Sequence, residues 1–386
     1  MTGTGSARTK GIALSDRQRI AWLRLIRSDN VGPATFRDLI NHFGSADKAL
    51  EALPELASRG GAPRGIRIAS RAEAEAELER AATFGARFIG LGEPDYPEAL
   101  RHMDAAPPLL AAKGNAAVTA LPAVGMVGAR NASLAGCKFT AHLARECGRA
   151  GYAVVSGLAR GIDQAAHRAS LDTGTIAALA GGLDRPYPPE NIPLLEEIWN
   201  GNGLAVSEMP FGWEPRARDF PRRNRLIAGI GLGVVVVEAA MRSGSLITAR
   251  LAGEAGRLVF AVPGSPLDPR CEGTNGLLKQ GAILVTGPDD ILAALAPLHH
   301  RDLFSGLDIR EPPIEEDRPM RPAPDDSDRS RIMQALGPTP VEIDEIIRHT
   351  GVAAAAVYLV LVELDLAGRL QRFPGGLVAL SLDERR

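Results

Sequence analysis

Cysteine is nearly absent from this chain, with three in 386 residues: Cys137, Cys147 and Cys271. So sparse and odd a set, without metal-ligand spacing, excludes a disulfide framework and suits a reducing compartment. The seven histidines show no metal spacing either, so neither a metal nor a cofactor is expected. Aromatic residues are also scarce, at 4%, which makes any aromatic in a polar neighbourhood conspicuous. Long hydrophobic runs are missing. The longest uncharged stretch, 114–129, has 16 residues and contains Pro122, short of the roughly 20 needed to span a bilayer. The first ten residues carry Arg8 and Lys10 without an apolar core, so no secretory signal is expected there. The expected address is the cytoplasm, with no membrane partner. Charge of one sign is lacking too: 44 basic residues against 46 acidic ones give −2, which argues against a uniformly basic coat for duplex DNA.

What is present is length for two to four domains and 42 glycines. Ser15 and Gln18 stand at capping-box spacing ahead of Ile20, Leu23 and Ile26, which predicts a helix from Ser15. Val31, Gly32 and Pro33 turn the chain into a second helix, whose Phe36, Leu39, Ile40 and Phe43 recur at helical spacing until Gly44 stops it. Such a hairpin either offers backbone N–H groups to a phosphate or is structural, and the structural reading is favoured. A helix over 71–84 follows. From about Lys113, short apolar strands ending in Gly or Ser alternate with helix-length segments, at 123–127, 152–155, 175–179, 203–206, 234–237, 258–261 and 282–285. Strands apolar on both faces and alternating with helices specify a mostly parallel, Rossmann-like sheet covered by helices. Between Asp308 and Asp328 eight acids, three arginines and five prolines make a solvated linker. Beyond it, Thr339 and Pro340 form an expected N-cap and N1 pair, and the order helix, helix, helix, β-hairpin predicts a winged helix. The expected domains are a flexible tail 1–14, a helical N-terminal domain and extension 15–112, the Rossmann-like α/β core 113–298, an acidic Pro-rich linker 299–328 and a winged helix 329–386.

Four strand ends carry the unusual residues. They are Gly125-Met-Val-Gly128-Ala-Arg130, Ser156-Gly157-Leu-Ala-Arg160-Gly161-Ile-Asp163, Gly181-Gly182-Leu-Asp184 with Tyr187-Pro188, and Glu238 with Ser243-Gly244-Ser245. Neighbouring strand ends of a parallel sheet share one crevice, and small residues there let backbone N–H groups approach anions. From Trp213 to Arg225, five arginines (216, 218, 222, 223, 225) face only two acids. A dinucleotide-binding dehydrogenase fits poorly, because the first turn is GxxGxR and the second strand ends in Ser156-Gly157 rather than an acid. A nucleotide or nucleoside-phosphate hydrolase of the lysine-decarboxylase-like class is the alternative. Aligning Gly244-Ser245 with its motif, however, puts Thr248 where that class has its glutamate.

SGLARGIDQAAH (156–167), GGLDRPYPPEN (181–191), FPRRNRLIAG (220–229), VVEAAMRSGSLITA (236–249) and VFAVPGS (259–265) together resemble the DNA-processing protein A (DprA/Smf) family. GLGEPDYPEAL (90–100) and the winged-helix tail extend the resemblance over nearly the whole chain. It implies a protein that binds single-stranded DNA, forms a homodimer through its Rossmann-like domain and helps load the RecA recombinase in natural transformation. By motif position Arg130 resembles the family's phosphate-gripping arginine and Phe220 its base-contacting aromatic, with Ser243-Gly244-Ser245 lining the same pocket. Where the family places a lysine three residues before the aromatic, this chain has Ala217. Either Arg216 or Arg218 replaces it.

The residues read by themselves agree with a binder rather than an enzyme. Single strands need a cationic groove for the backbone and an aromatic face for a base, and Phe220 amid arginines supplies both. The expected DNA-binding set is Gly128, Arg130, Ser156, Gly157, Arg160, Gly161, Arg216, Arg218, Phe220, Arg222, Asn224, Arg225, Ser243, Gly244 and Ser245. No catalytic residue is expected: Asp163 and His167, four apart, read as structural, and Glu208 and Glu238 as orienting groups. Leu277, Leu278 and Ile283 form an apolar set that is either core or a dimer patch. The helix 353–367 has no basic or amide side chain and carries Glu363 and Asp365, so it suits packing against protein better than reading a groove.

Overall fold

The computed structural model describes residues 13–62, 65–300 and 325–381, without the side chains of His299 and His300. The expected tail, except for residues 13 and 14, and most of the acidic linker lie outside the described residues. Two compact units result. One comprises 78–103 and the segment from 110 onward through the sheet, and the other joins 14–77 and 104–109 to the C-terminal region.

The second unit begins with α1 (Asp16–Ile26), α2 (Pro33–Phe43) and α3 (Ala46–Arg59). The capping box of Ser15 and Gln18 forms in both directions, and α2 ends on Gly44 at φ 77°, a left-handed position that favours glycine. Trp22 meets Phe36 edge-on, with centroids 5.1 Å apart.

After α4 (Arg71–Thr83), the sheet unit runs β1 (Arg87–Gly90), α5 (Glu98–Arg101), β2 (Leu109–Gly114), β3 (Ala123–Gly128), α6 (Leu134–Arg149), β4 (Ala153–Ser156), α7 (Ile162–Ala169) and β5 (Thr175–Ala178). It continues through α8 (Ile192–Asn200), β6 (Gly203–Ser207), α9 (Asp219–Ile230), β7 (Gly233–Val237), α10 (Gly244–Glu254), β8 (Leu258–Ala261), α11 (Glu272–Lys279), β9 (Ile283–Leu284) and α12 (Pro288–His300). The sheet order is β1-β2-β6-β5-β4-β3-β7-β8-β9. Strands β3 to β9 pair in parallel, whereas β2 lies antiparallel to β6. The sheet therefore reaches upstream of residue 113. The buried run Leu109 to Ala112 extends beside β6, although Pro107 and Pro108 mask it in sequence.

Alternation along the strands builds two apolar layers. Ala123, Val127, Val155, Ile176, Val234 and Val236 face Leu226, Ile227 and Ile230 of α9 and Ala249 and Ala252 of α10. Val124, Met126, Val154, Val235 and Val237 face Leu143 and Cys147 of α6, Ile162 and Ala166 of α7, and Ile291 and Leu295 of α12. Chain order reverses between β3 and β7, which opens a crevice at the strands' C-terminal ends. Among the described residues no helix is long and apolar enough to cross a membrane.

The C-terminal part contains α13 (Asp326–Ala335), β10 (Val341–Glu342), α14 (Ile343–Thr350), α15 (Ala354–Leu366), β11 (Leu370–Phe373) and β12 (Leu377–Leu380), with the sheet order β10-β12-β11 of a winged helix. Thr339 and Pro340 do not cap α14, which starts at Ile343 behind Glu342. Val341 and Glu342 pair instead with Val378 and Leu377, and that ladder holds the chain extended. Within this unit α15 lies on α2 and α3. Asn30 Nδ2 donates to the Leu366 carbonyl at 2.9 Å, Thr35 Oγ1 to Asp365 at 3.1 Å, and Arg369 Nη1 to the Gly60 carbonyl at 3.2 Å. Arg372 sits between Asp38 at 2.9 Å and Asp365 at 2.6 Å, all three largely buried. A Cβ on Gly60 would stand 1.9 Å from the Glu363 carbonyl oxygen.

Candidate functional site

A shallow pocket opens at the C-terminal ends of β3, β4 and β5 and the start of α9. It is lined by Arg130, Gly157, Ala159, Arg160, Tyr187, Pro188, Phe220 and Arg223. Arg130 follows β3, is exposed, and has its guanidinium 5.6 Å from the centre of the half-buried Phe220 ring. Tyr187, 46% exposed, meets the same ring edge-on at 5.7 Å. Arg160 stands at the rim, 3.6 Å from exposed Glu190, a pairing worth little in water. The lining holds three arginines and no carboxylate.

The floor holds two buried ionisable side chains, Arg223 and Asp163. Arg223 is 6% exposed; its Nη1 donates to the Ala178 carbonyl at 2.8 Å, its Nε has no partner, and its guanidinium carbon lies 5.9 Å from the Phe220 ring centre. A Cβ at Gly157 would stand 1.9 Å from that Nη1, so glycine leaves room for the guanidinium where it lies. Burial lowers the Arg223 pKa to about 10 against the opposing pull of Asp163. Asp163 Oδ2 accepts from the N–H groups of Gly157 at 3.0 Å and Ala159 at 3.4 Å, and burial raises its pKa despite Arg223 and these bonds. The second glycine loop thus holds an anion of its own. Behind it, His167 Nδ1 lies 2.7 Å from Thr175 Oγ1, and burial pushes the ring down to about 3, leaving it neutral.

Most other residues marked in the sequence are held by the scaffold. Gly128 allows close packing, since its Cβ would stand 1.9 Å from the Val237 carbonyl oxygen. Ser156 is buried and donates to the Met126 carbonyl at 2.6 Å. Gly161, at φ 74°, passes the carbonyls of Ala129 and Arg130 and starts α7. Arg222 and Arg225 both pair with the buried Glu208, the first at 3.2 Å, so they leave the pocket. Asn224 Nδ2 donates to the Gly244 carbonyl at 3.2 Å and ties α9 to the Ser243-Gly244-Ser245 turn, where the Ser243 side chain caps α10. Arg216 lies over Trp213 at 4.8 Å, and Arg218 is exposed at the start of α9. Glu238, at φ 53°, accepts from the Ser133 N–H at 2.8 Å, at the start of α6. Leu277, Leu278 and Ile283 are half-buried, beside Leu284 at 50% exposure on the edge strand β9. The sequence reading omitted Tyr187, Arg223 and Asp163 from the site. For Arg223 the signal existed, because it lies three residues after Phe220 on one helix and so shares its face.

Fold and site define a doubly wound α/β protein with an arginine-lined, aromatic pocket at its strand ends, accompanied by a helical domain and a winged helix. The chain belongs to the DNA recombination-mediator protein A family, DprA/Smf, whose pattern matches residues 87–296. The DprA-like N-terminal HHH domain matches 16–80 and the DprA winged helix domain 316–376. Protein Smf of Synechocystis is 31% identical over 393 residues, covering 94% of this chain and 98% of its own. DNA processing protein DprA of Streptococcus pneumoniae is 46% identical over 200 residues, covering 51% of this chain and 70% of its own. The X-ray structure of the S. pneumoniae protein superposes with a TM-score of 0.61 at 34% identity, over 73% of this chain and 98% of that one. A Helicobacter pylori DprA structure, described for its single-stranded DNA binding mode, gives 0.51 at 29% identity over 55% and 96%.

Proposed function

We propose that this protein binds single-stranded DNA in the pocket around Phe220, tolerating any sequence, and passes it to a RecA-type recombinase during DNA uptake in the cytoplasm. The observation that carries the reading is Arg130, exposed, without a carboxylate partner among the described residues, and poised beside the ring of Phe220. Arg130 and Arg160 take phosphates, while Phe220 and Tyr187 take a base by stacking. Arg218, exposed at the mouth of α9, takes the place of the lysine missing at Ala217. The glycine loop contributes shape rather than N–H donors, because Asp163 already occupies two of them. Asp163, Glu208 and Glu238 are all engaged in holding backbone or arginine, which supports a binder over a hydrolase. Two copies associate through Leu277, Leu278 and Ile283; light scattering at micromolar concentration returning a monomer removes that part.

Titration of labelled oligothymidylate against blunt duplex over a range of salt tests the site. Single strand wins clearly, with affinity falling by roughly 0.7 log unit per phosphate contacted for each log unit of salt. Arg130→Ala flattens that slope by about one contact, whereas Phe220→Ala costs about 1 to 3 kcal/mol with the slope unchanged. Equal affinity for duplex and single strand, or folded variants that bind like wild type, would place the site elsewhere.

A further inference from the structure

Resting on the single-strand reading of this pocket, we infer that Arg223 is its base-edge reader, and that it selects a keto base, thymine or guanine, over the amino bases at the stacked position. A buried guanidinium carries five N–H donors, and nearly all buried donors find acceptors. Arg223 spends one of its five, on the Ala178 carbonyl, and its Nε is buried without a partner. The unspent donors belong to a side chain that lines the pocket and lies under Gly157, where a methyl group would collide with it. The ligand therefore brings the missing acceptor.

The acceptors on a nucleic acid strand are the charged phosphate and the neutral carbonyls and ring nitrogens of the bases. Asp163 decides between them. Its carboxyl group accepts from the Gly157 N–H at 3.0 Å and acts electrostatically on Arg223, which offsets part of the positive charge that would repay a phosphate's desolvation. A base carbonyl carries no charge to desolvate. The Arg223 guanidinium carbon lies over the Phe220 ring, 5.9 Å from its centre, so a base stacked on that ring comes within reach of the free N–H groups. At the edge that carries pyrimidine position 4 or purine position 6, thymine O4 and guanine O6 accept, while cytosine N4 and adenine N6 present hydrogens to a group that can only donate. One such neutral contact shifts affinity severalfold, in keeping with a protein that otherwise tolerates any sequence.

The test compares oligothymidylate, oligodeoxyuridylate and oligodeoxycytidylate of equal length, all weakly self-stacking, on the full-length protein. Wild type binds the thymine and uracil strands alike, roughly fivefold more tightly than the cytosine strand. Arg223→Met removes the preference and leaves the salt slope intact, and Arg223→Lys, which keeps the charge but loses the planar fork, removes most of it. Equal binding of the three strands by wild type overturns the inference, and this arm needs no variant to fold. Uracil behaving like cytosine overturns it in favour of a thymine-methyl contact. A preference that survives in Arg223→Met, or a salt slope reduced by about 0.7 in that variant with the preference intact, overturns it in favour of another reader or a phosphate contact. Failure of the single-strand reading itself looks different, since then no strand of any composition competes with duplex.

Discussion

His167 carries the clearest pH signature of the molecule. In the unfolded chain a histidine takes a proton near pH 6.5, whereas here burial pushes protonation down to about 3. Between those values the unfolded state binds more protons, so stability falls as pH drops, by up to about 1.4 kcal/mol per pH unit. His167→Gln flattens that acid limb, and thermal melts between pH 7 and pH 4 read the difference; an unchanged profile would show that His167 already titrates at its ordinary value. At this scale the sequence located the neighbourhood better than the directions. It marked Arg130, Gly157, Arg160 and Phe220, all of which line the pocket. It also marked Arg222 and Arg225, which turn to Glu208. A run of arginines shows where charge is dense, but helix phase and a carboxylate from another strand decide which guanidinium faces the groove. Asp163 was legible as a structural group that satisfies backbone N–H groups near a helix N-terminus, and it accepts from Gly157 and Ala159.

At the level of elements, α15 gives the sharpest prediction. It takes the place of a groove-reading helix, yet Asp365, Leu366 and the neighbouring Arg372 are committed to α2 and its preceding turn. Gly60 has φ −68°, which alanine adopts freely, so Gly60→Ala tests packing alone. The intruding methyl costs about 1 to 3 kcal/mol, while Arg372→Ala, which strands two buried carboxylates, costs about 3 to 5 kcal/mol. Hydrogen exchange followed by mass spectrometry should show the α2, α3 and α15 amides losing protection together in both variants. Loss confined to α15 would contradict the packing. The seven strands from β3 to β9 were legible because each is a short apolar run followed by a helix-length segment. Strands β1 and β2 were not, since prolines surround them and burial beside β6 comes from long-range pairing. The start of α14 was misplaced for a similar reason: a Thr-Pro pair is a valid local cap signal, but pairing with β12 overrode it.

The molecule as a whole is built from a sheet unit of two described stretches, 78–103 and 110 onward, and a more widely divided second unit. The divided one is assembled from both ends of the chain, with the sheet unit inserted between its parts. Truncation after Leu307 therefore has two separable effects. Single-strand affinity stays within about tenfold, or 1.4 kcal/mol, because the pocket residues all lie in the sheet unit, whereas α2 and α3 lose their cover and exchange faster. A larger loss of affinity with the sheet still folded would assign DNA contacts to the winged helix. The divided unit also imposes a schedule. Leu366 is made 336 residues after Asn30, the residue that bonds to it. At about 5 to 20 residues per second, the first helices wait on the order of tens of seconds for their partner, while the sheet unit leaves the ribosome and folds. During that interval they expose the apolar face that α15 later covers, a transient surface on which a newborn chain can misassemble.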